Sequence, residues 1–428
     1  MGAHRVVVVG GGFAGLDVVR GLADADVDIT LLDRRNHHLF QPLLYQVATA
    51  SLSPSEIAWP LRHILRRQRN VRIIMATVTD VDPAAKEVLL EDQTRVPYDT
   101  LVLATGAQHA YFGHDEWEQF APGLKTLEDA IGIRRKLLLA LEAAEREPDP
   151  EKREALLTFA IIGAGPTGVE MAGSMIELGR ASIQDQFRAI RPDDLRVVLI
   201  EGGDRVLSNF DDDLSDYTLK SLQQLGVHVE LGQMVKAIDA DGVTFGDQRL
   251  PAKTVIWAAG VAASPVAKWI GAEADKAGRV LVAPNLTAPG KPDIFVIGDV
   301  ASIKNPDGSP VPGLAPAAKQ QGAYVAKVIS ARVAGNAAPE PFRYKHAGSL
   351  ATIGKRSAVI DFGWTKFRGW FAWWIWGVAH IYFLVDLKNR IFVLLSWLWI
   401  SLTGQRSARL ITHGRAPSHT PLDEVEDG

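Results

Sequence analysis

Two glycine-rich turns hold the residues of this chain whose types and spacing could do chemistry. In Gly10-Gly11-Gly12-Phe13-Ala14-Gly15 the glycines at 10, 12 and 15 fit the G-x-G-x-x-G pattern. That pattern lets the chain turn tightly, brings backbone N–H groups up to a pyrophosphate and seats a helix against a strand, so side chains are unwelcome at its glycines. Asp33 stands 23 residues after Gly10, where a carboxylate accepts ribose hydroxyls. The second turn, Gly163-Ala164-Gly165-Pro166-Thr167-Gly168, repeats the spacing and runs on into Val169 and Glu170. Its candidate ribose acid, Glu201, comes 38 residues after Gly163, so the intervening helix and connection must be extended. An acid there repels a 2′-phosphate and favours NADH over NADPH, with Arg205 near enough in sequence to soften the preference. Gly298-Asp299, after the apolar run Ile294 to Ile297, is where a flavin's ribityl chain would be held, the Asp accepting from a hydroxyl. Plain readings stand beside these: a strand-end acid for Glu201, a turn residue for Asp299, and a first-turn acid answering the helix dipole for Glu170.

The elements that must position these turns follow from the hydrophobic pattern. Val6 to Val9 and Phe159 to Ile162 are continuous apolar runs, and Leu16 to Leu22 and Val169 to Leu178 take helical spacing after the glycines, which is how a βαβ unit starts. Ile29 to Leu32 and Val197 to Ile200 read as the strands that end on Asp33 and Glu201. Val71 to Met75 and Leu101 to Leu103 are further strands, the second ending at Ala104-Thr105-Gly106. The charged stretch Glu142 to Glu154, with two prolines, reads as a linker or mobile loop. The glycine unit recurs once, 153 residues later, as two dinucleotide folds require.

Composition narrows the chemistry. The 428 residues suggest two to three lobes, and 47% hydrophobic with 22% charged residues is ordinary for a globular protein. There is no cysteine, which excludes disulfides, thiolate metal sites, iron–sulfur clusters and redox dithiols. Thiol-disulfide reductases and cysteine-dependent sulfide:quinone oxidoreductases are excluded with them. Redox chemistry must then be carried by a bound cofactor. The run Val6 to Val9 is too short for a secretory signal, and Val6 breaks the myristoylation pattern, so the body is expected in the cytoplasm.

The net charge of −4 hides an asymmetry: between Trp364 and Arg415 lie seven cations against the single acid Asp386. Seven of the 11 tryptophans crowd into the same region, as residues do at a membrane–water interface. Such a basic, aromatic tail suits anionic lipid better than nucleic acid. Its uncharged runs, Gly369 to Val385 and Ile391 to Gly404, are 17 and 14 residues long, short of the roughly 20 that spanning takes. Two amphipathic helices lying in the leaflet are expected, with Trp and Phe inward and Lys388, Arg390, Arg406 and Arg409 toward head groups. A chain ending near Asp361 is expected to keep FAD and lose the membrane.

Longer stretches identify a family. Asn36-His37-His38-Leu39-Phe40-Gln41-Pro42-Leu43-Leu44-Tyr45-Gln46-Val47-Ala48, Tyr98-Asp99, the Gly163 to Glu170 turn, Trp257-Ala258-Ala259-Gly260-Val261, Gly298-Asp299 and Ala315-Pro316-Ala317-Ala318-Lys319-Gln320-Gln321-Gly322 together resemble type II NADH dehydrogenase. This is the single-subunit, non-proton-pumping NADH:quinone oxidoreductase, a branch of the disulfide-reductase-like flavoproteins. The resemblance runs from about Arg5 to His413. It implies an α/β fold with two Rossmann-like dinucleotide-binding domains and a C-terminal membrane-associating helical segment. FAD would be held tightly by residues 1–117 and 261–340, NADH by residues 118–260, and the membrane by residues 341–428. By resemblance, Gly10, Gly12, Phe13, Ala14, Gly15, Asp33, Thr105, Gly106 and Asp299 fall on FAD-binding positions. Gly163, Gly165, Gly168, Glu170, Glu201 and Gly260 fall toward NADH. Ala317, Gln320 and Gln321 fall where quinone meets the flavin, although Pro316 stands where many members carry Gln. Glu170, Gln320 and Gln321 are the candidate catalytic residues. The expected partners are quinone and membrane lipid, with no nucleic acid, and a homodimer is allowed. The expected place is the cytoplasmic face of the cell membrane, or its matrix-side equivalent, as a peripheral or monotopic protein. The alternative is an oxidase or reductase serving a soluble acceptor, and a third class is a non-catalytic NADH sensor.

Overall fold

The structure, a computed structural model, describes residues 3–385, 387–403 and 408–411. Val6 to Val9 are buried on both faces, which is why they read as an unbroken apolar run, and they sit at the centre of a mainly parallel sheet. Its strand order is Val71–Met75, Val27–Asp33, His4–Val9, Thr100–Leu103, Lys291–Val296, closed by the antiparallel edge Thr287–Ala288. A second, wholly parallel sheet runs Val227–Glu230, Arg196–Ile200, Thr158–Ile162, Thr254–Trp257. In both, the order reverses beside the first strand, and ligands of such sheets bind at the carboxyl ends of the strands at that point. Each half also inserts a three-stranded antiparallel meander before its fourth strand: Val78–Asp82, Glu87–Leu90 and Arg95–Pro97 in one, Val235–Asp239, Gly242–Phe245 and Gln248–Pro251 in the other. The recurrence seen in the glycines thus extends to a whole supersecondary unit.

The charged stretch Glu142 to Glu154 is not a mobile loop. It joins the helices Leu127–Arg146 and Pro150–Leu157 across three residues. Thr126 and Asp129 form a capping box on the first, and Asp149 caps the second with Pro150 at its first position. Proline there costs no hydrogen bond, so it starts a helix and does not break one. The second glycine turn opens the 21-residue helix Pro166–Gln186, which accounts for the long interval before Glu201.

After residue 348, Ser349–Thr352, Ala358–Asp361 and Lys366–Arg368 form an antiparallel sheet. It lies on the second fingerprint helix so closely that a Cβ on Gly173 would stand 2.8 Å from the Gly354 nitrogen. The helices Gly369–Phe383 and Leu387–Thr403 follow as a hairpin. Ala372, Trp376 and Val393 are buried against the body, while Trp370, Phe371, Trp374, Val378, Leu395 and Leu398 are exposed. Among the described residues no helix is long and apolar enough to cross a membrane. Two tail expectations change. Arg409 donates to Ser182 Oγ at 3.3 Å and Gln186 Oε1 at 3.0 Å, so it is tied to the second fingerprint helix and does not point to head groups. A chain ending near Asp361 would lose the third strand of the sheet and the buried Trp376, so it removes core along with the tail. Asp386, Arg406 and Arg415 lie outside the described residues.

Candidate active site

The two glycine turns share one geometry. Gly10 has φ +105° and donates to Leu32 O at 2.8 Å; Gly163 has φ +99° and donates to Ile200 O at 2.7 Å. A Cβ on Gly10 would sit 2.3 Å from Ala104 O, and one on Gly163 2.5 Å from Ala259 Cα. At the third glycine, a Cβ on Gly15 or Gly168 would lie 1.9 Å from the carbonyl oxygen of Gly10 or Gly163. At the middle glycine the reverse holds: a Cβ on Gly12 or Gly165 would meet nothing within 4 Å. Neither fingerprint helix has a side-chain cap or an acid in its first turn. Unfilled space over an uncapped helix N-terminus is what a pyrophosphate requires, so these residues fit FAD on the first turn and a nicotinamide dinucleotide on the second.

The two acids lock their turns. Asp33 Oδ2 accepts from Gly11 N–H at 2.6 Å and Oδ1 from Arg35 N–H at 2.7 Å. Glu201 Oε2 accepts from Ala164 N–H at 2.6 Å and Oε1 from Gly203 N–H at 2.8 Å. Arg205 is ion-paired to Asp212. Gly260 borders the second site, where its Cβ would stand 2.5 Å from Phe112 Cζ.

On the side of the first glycine turn, Gly298 takes φ +77° and donates to the buried Gln321 Oε1 at 2.6 Å, which fixes the turn that carries Asp299. Asp299 Oδ2 lies 3.6 Å from Lys125 Nζ. Thr105 Oγ1 is 2.5 Å from Ser264 Oγ, and Gly106, at φ +73°, accepts from Ser264 N–H. Ala317, Gln320 and Gln321 share one face of the helix Ala315–Val333. Gln320 holds the backbone of Lys345 with both ends of its amide, at 2.8 and 2.9 Å. This helix meets the first fingerprint helix through small residues: a Cβ on Gly322 would stand 2.3 Å from Ala14 O, and one on Gly21 2.6 Å from Ala326 Cβ. Phe13 packs edge-on against His38 and Phe40, with ring centroids 5.1 and 5.8 Å away. His38 Nδ1 is 2.9 Å from Gly11 O, so that nitrogen carries the proton, and burial holds the ring's pKa down to about 4.

Glu170 is not a first-turn acid on the surface. It is buried, its Oε1 accepts from Thr352 N–H at 3.3 Å, and burial pushes its pKa up to about 8. A hydrogen-bonded series leads from there to the hairpin. Trp397 Nε1 donates to Gln46 Oε1 at 2.7 Å, Gln46 Nε2 donates to Tyr45 OH at 2.9 Å, and Tyr45 OH is 3.0 Å from Thr352 Oγ1. An indole nitrogen only donates, so Trp397 fixes which end of the Gln46 amide faces Tyr45. The Tyr45 hydroxyl thereby accepts from Gln46 and is left to donate to Thr352. A small cavity of ≈ 60 Å³ beside this series is lined by Tyr45, Gln46, Ser174, Trp373, Trp376 and Trp397. Rings also connect the two regions: Phe40 to His380 at 6.1 Å, His380 to Trp376 at 4.2 Å, and Trp376 to Trp397 at 5.2 Å. Sequence reasoning did not single out Lys125, Thr352 or Trp397 for this site, and it gave Tyr45 and Gln46 no role although both lie in the distinctive Phe40 to Ala48 stretch.

Known proteins share this architecture. Residues 4–322 match the pyridine nucleotide-disulphide oxidoreductase family, and residues 346–406 match the NDH2 C-terminal domain. The type II NADH:quinone oxidoreductase Ndh of Mycobacterium tuberculosis is 43% identical, covering 99% of this chain and 94% of its own. NdhA of the same organism is 44% identical, covering 96% and 89%. Among solved structures, NDH2 from Plasmodium falciparum in complex with NADH superposes with a TM-score of 0.86 at 22% identity, over 95% of this chain and 99% of that one. With 43% and 44% identity to these oxidoreductases over nearly the full chain, and with both family matches, the chain belongs to the type II NADH:quinone oxidoreductases, a flavoprotein branch of the pyridine nucleotide-disulphide oxidoreductase family.

Proposed function

We propose that this chain oxidises NADH through tightly bound FAD and delivers two electrons to a membrane quinone without pumping protons, with the hairpin 369–403 as its contact with lipid. One observation carries the reading: the hairpin that exposes an apolar face is hydrogen-bonded through Trp397 into the buried pocket of Glu170, on the helix that the second glycine turn opens. Bound FAD supplies the hydride acceptor and the electron relay; the chain supplies position and a dry site.

Residues 1–117 and 261–340 form the FAD lobe, residues 118–260 the NADH lobe, and residues 341–428 the membrane region. Gly10, Gly12 and Gly15, with Phe13 and Ala14, bring backbone N–H groups to the FAD pyrophosphate. Asp33 holds that turn and meets the adenosine ribose, while Thr105, Gly106 and Asp299 border the flavin end. Gly163, Gly165, Gly168 and Gly260 shape the NADH side, and Glu201 both locks the turn and selects NADH. Ala317, Gln320 and Gln321 form the helix face toward quinone, Gln321 through the Gly298 turn and Gln320 through the segment that enters the membrane region. Glu170 holds a proton at neutral pH, since its pKa stands near 8. The protein sits on the cytoplasmic face of the membrane, attached through one leaflet.

Steady-state rates of the full-length, flavin-loaded protein with NADH or NADPH against ubiquinone and menaquinone analogues test this. Rapid NADH-dependent reduction of at least one quinone is expected. Fast turnover with a soluble carrier but none with quinone would establish the alternative of a soluble-acceptor reductase. Rapid flavin bleaching by NADH followed by very slow reoxidation by every acceptor would instead indicate a sensor.

A further inference from the structure

Outside the dinucleotide sites, residues 57–79 carry five arginines, at 62, 66, 67, 69 and 72, and no acid. The turn after the short helix Leu61–Ile64 sets Arg66 and Arg67 close to Arg20, on the last turn of the first fingerprint helix. These three arginines, with Ile64 and Val385, line a recess of ≈ 230 Å³. All three are exposed, and none is ion-paired among the described residues. Arg66 spends one N–H on His63 O, at 2.7 Å, and keeps the rest of its fork free of protein acceptors among the described residues. The acids that follow the first fingerprint helix, Asp24 and Asp26, pair with none of them, and Asp386, next to Val385 in sequence, lies outside the described residues.

The position of the recess matters as much as its charge. Val385 ends the first hairpin helix's side of the turn, and just beyond the turn Lys388 stands 5.6 Å from the ring centres of both Trp59 and Phe392. Trp59 in turn packs on His63 at 5.1 Å, and Arg390 covers Tyr382 at 5.8 Å. The recess therefore adjoins the tip of the hairpin, where the exposed Leu387, Ile391 and Phe392 begin its apolar face. Once such a face enters the acyl region, long cationic side chains at its edge lie at the level of the phosphates. Guanidinium forks match phosphate oxygens in pairs, and three around one recess bind them from several sides.

We propose that the Arg20, Arg66 and Arg67 recess is a head-group site for the phosphodiester of an anionic phospholipid, contributed by the FAD lobe and not by the tail. The proposal rests on the reading of the hairpin as the membrane-facing element. Apolar burial by the hairpin would then supply binding to any bilayer, and the arginine recess would add a preference for anionic ones.

The test is vesicle flotation of the full-length, flavin-loaded protein with phosphatidylcholine alone and with phosphatidylcholine plus phosphatidylglycerol. The wild type is expected to bind both and to favour the anionic vesicles. The triple substitution Arg20→Gln, Arg66→Gln and Arg67→Gln should lose that preference, by about fivefold per arginine and on the order of a hundredfold in all, while its binding to neutral vesicles stays unchanged. Lys236→Gln and Arg249→Gln on the meander of the NADH half and Lys253→Gln just after it, all exposed, remove the same charge and should leave the preference intact. Retained preference in the first triple variant, or equal loss in both, overturns the site and leaves the anchor standing. Loss of the preference when inorganic phosphate replaces chloride at constant ionic strength would assign the recess to free phosphate and overturn the lipid assignment. Failure of the wild type to float with either vesicle would overturn the hairpin reading, and this proposal with it.

Discussion

Each oxygen of the Glu201 carboxylate takes a backbone N–H of the turn it follows, and in the proposed NADH site its charge would oppose a 2′-phosphate. Glu201→Ser should therefore narrow the ratio of NADH to NADPH catalytic efficiencies, mostly by raising KM for NADH, by about tenfold to a hundredfold, as expected for lost hydrogen bonds to a charged group. An unchanged ratio would take the selecting role away from it. Glu170 makes a prediction about pH. Its folded pKa of about 8 lies above the ordinary 4.5, so the stability it contributes is full below about 4.5 and is lost as pH rises through 8. Glu170→Gln removes this dependence, and the melting temperature of the variant should gain on the wild type steadily from pH 5 to pH 8. A constant difference would show that the group does not titrate there. Gln320→Ala should damage quinone reduction more than NADH-driven reduction of a small artificial acceptor, because its amide secures the backbone of Lys345, which leads into the C-terminal domain. Equal losses would place it in general support of the fold. The fingerprint glycines could be found from sequence because a fixed spacing defines them, and Asp33 and Glu201 because each closes an apolar strand. Lys125 and Thr352 could not, since their partners Asp299 and Glu170 are 174 and 182 residues away and only the sheet topology brings them together.

Apolar runs bounded by glycine gave the central strands nearly residue by residue, because strands buried on both faces leave no alternation to misread. The charged, proline-bearing stretch from 142 to 154 misled for the opposite reason: a capped helix start uses the same residues as a loop, Asp149 and Pro150 among them. The hairpin helices were legible in length and position, but their attachment was not. Trp397 looks like one more interfacial indole until the fold brings Gln46 within 2.7 Å of it. Trp397→Phe leaves Gln46 Oε1 without a donor and should cost about 1–3 kcal/mol in denaturant unfolding. Gln46→Leu in the same background should recover part of that loss, since both partners are then apolar. Additive losses in the double variant would mean that the two side chains are not coupled. Selective loss of quinone turnover in Trp397→Phe, with FAD retained, is expected if the series also orders the Glu170 pocket.

At the scale of the whole molecule, the proposed anchor and the core are two faces of one hairpin. Replacing Trp370, Trp374, Leu395 and Leu398 with Gln removes apolar surface that the folded protein does not bury, so FAD binding and soluble-acceptor activity should persist. Partition into vesicles should fall on the order of a hundredfold or more, by the usual value of burying large apolar side chains. Unchanged partition would move the membrane contact elsewhere. That the tail holds two apolar helices was plain from its composition; that they form a hairpin with one face in the hydrophobic core was not, because an indole facing protein and one facing outward are the same letter. The same division has a spectroscopic consequence. Trp364, Trp370, Trp374 and Trp399 are 83%, 62%, 50% and 55% exposed, while Trp376 is 1% exposed. The chain thus carries its own optical depth gauge: indole emission should shift to the blue on vesicle binding, and lipids brominated along their chains should quench the four exposed tryptophans while leaving the signal of Trp376 nearly untouched.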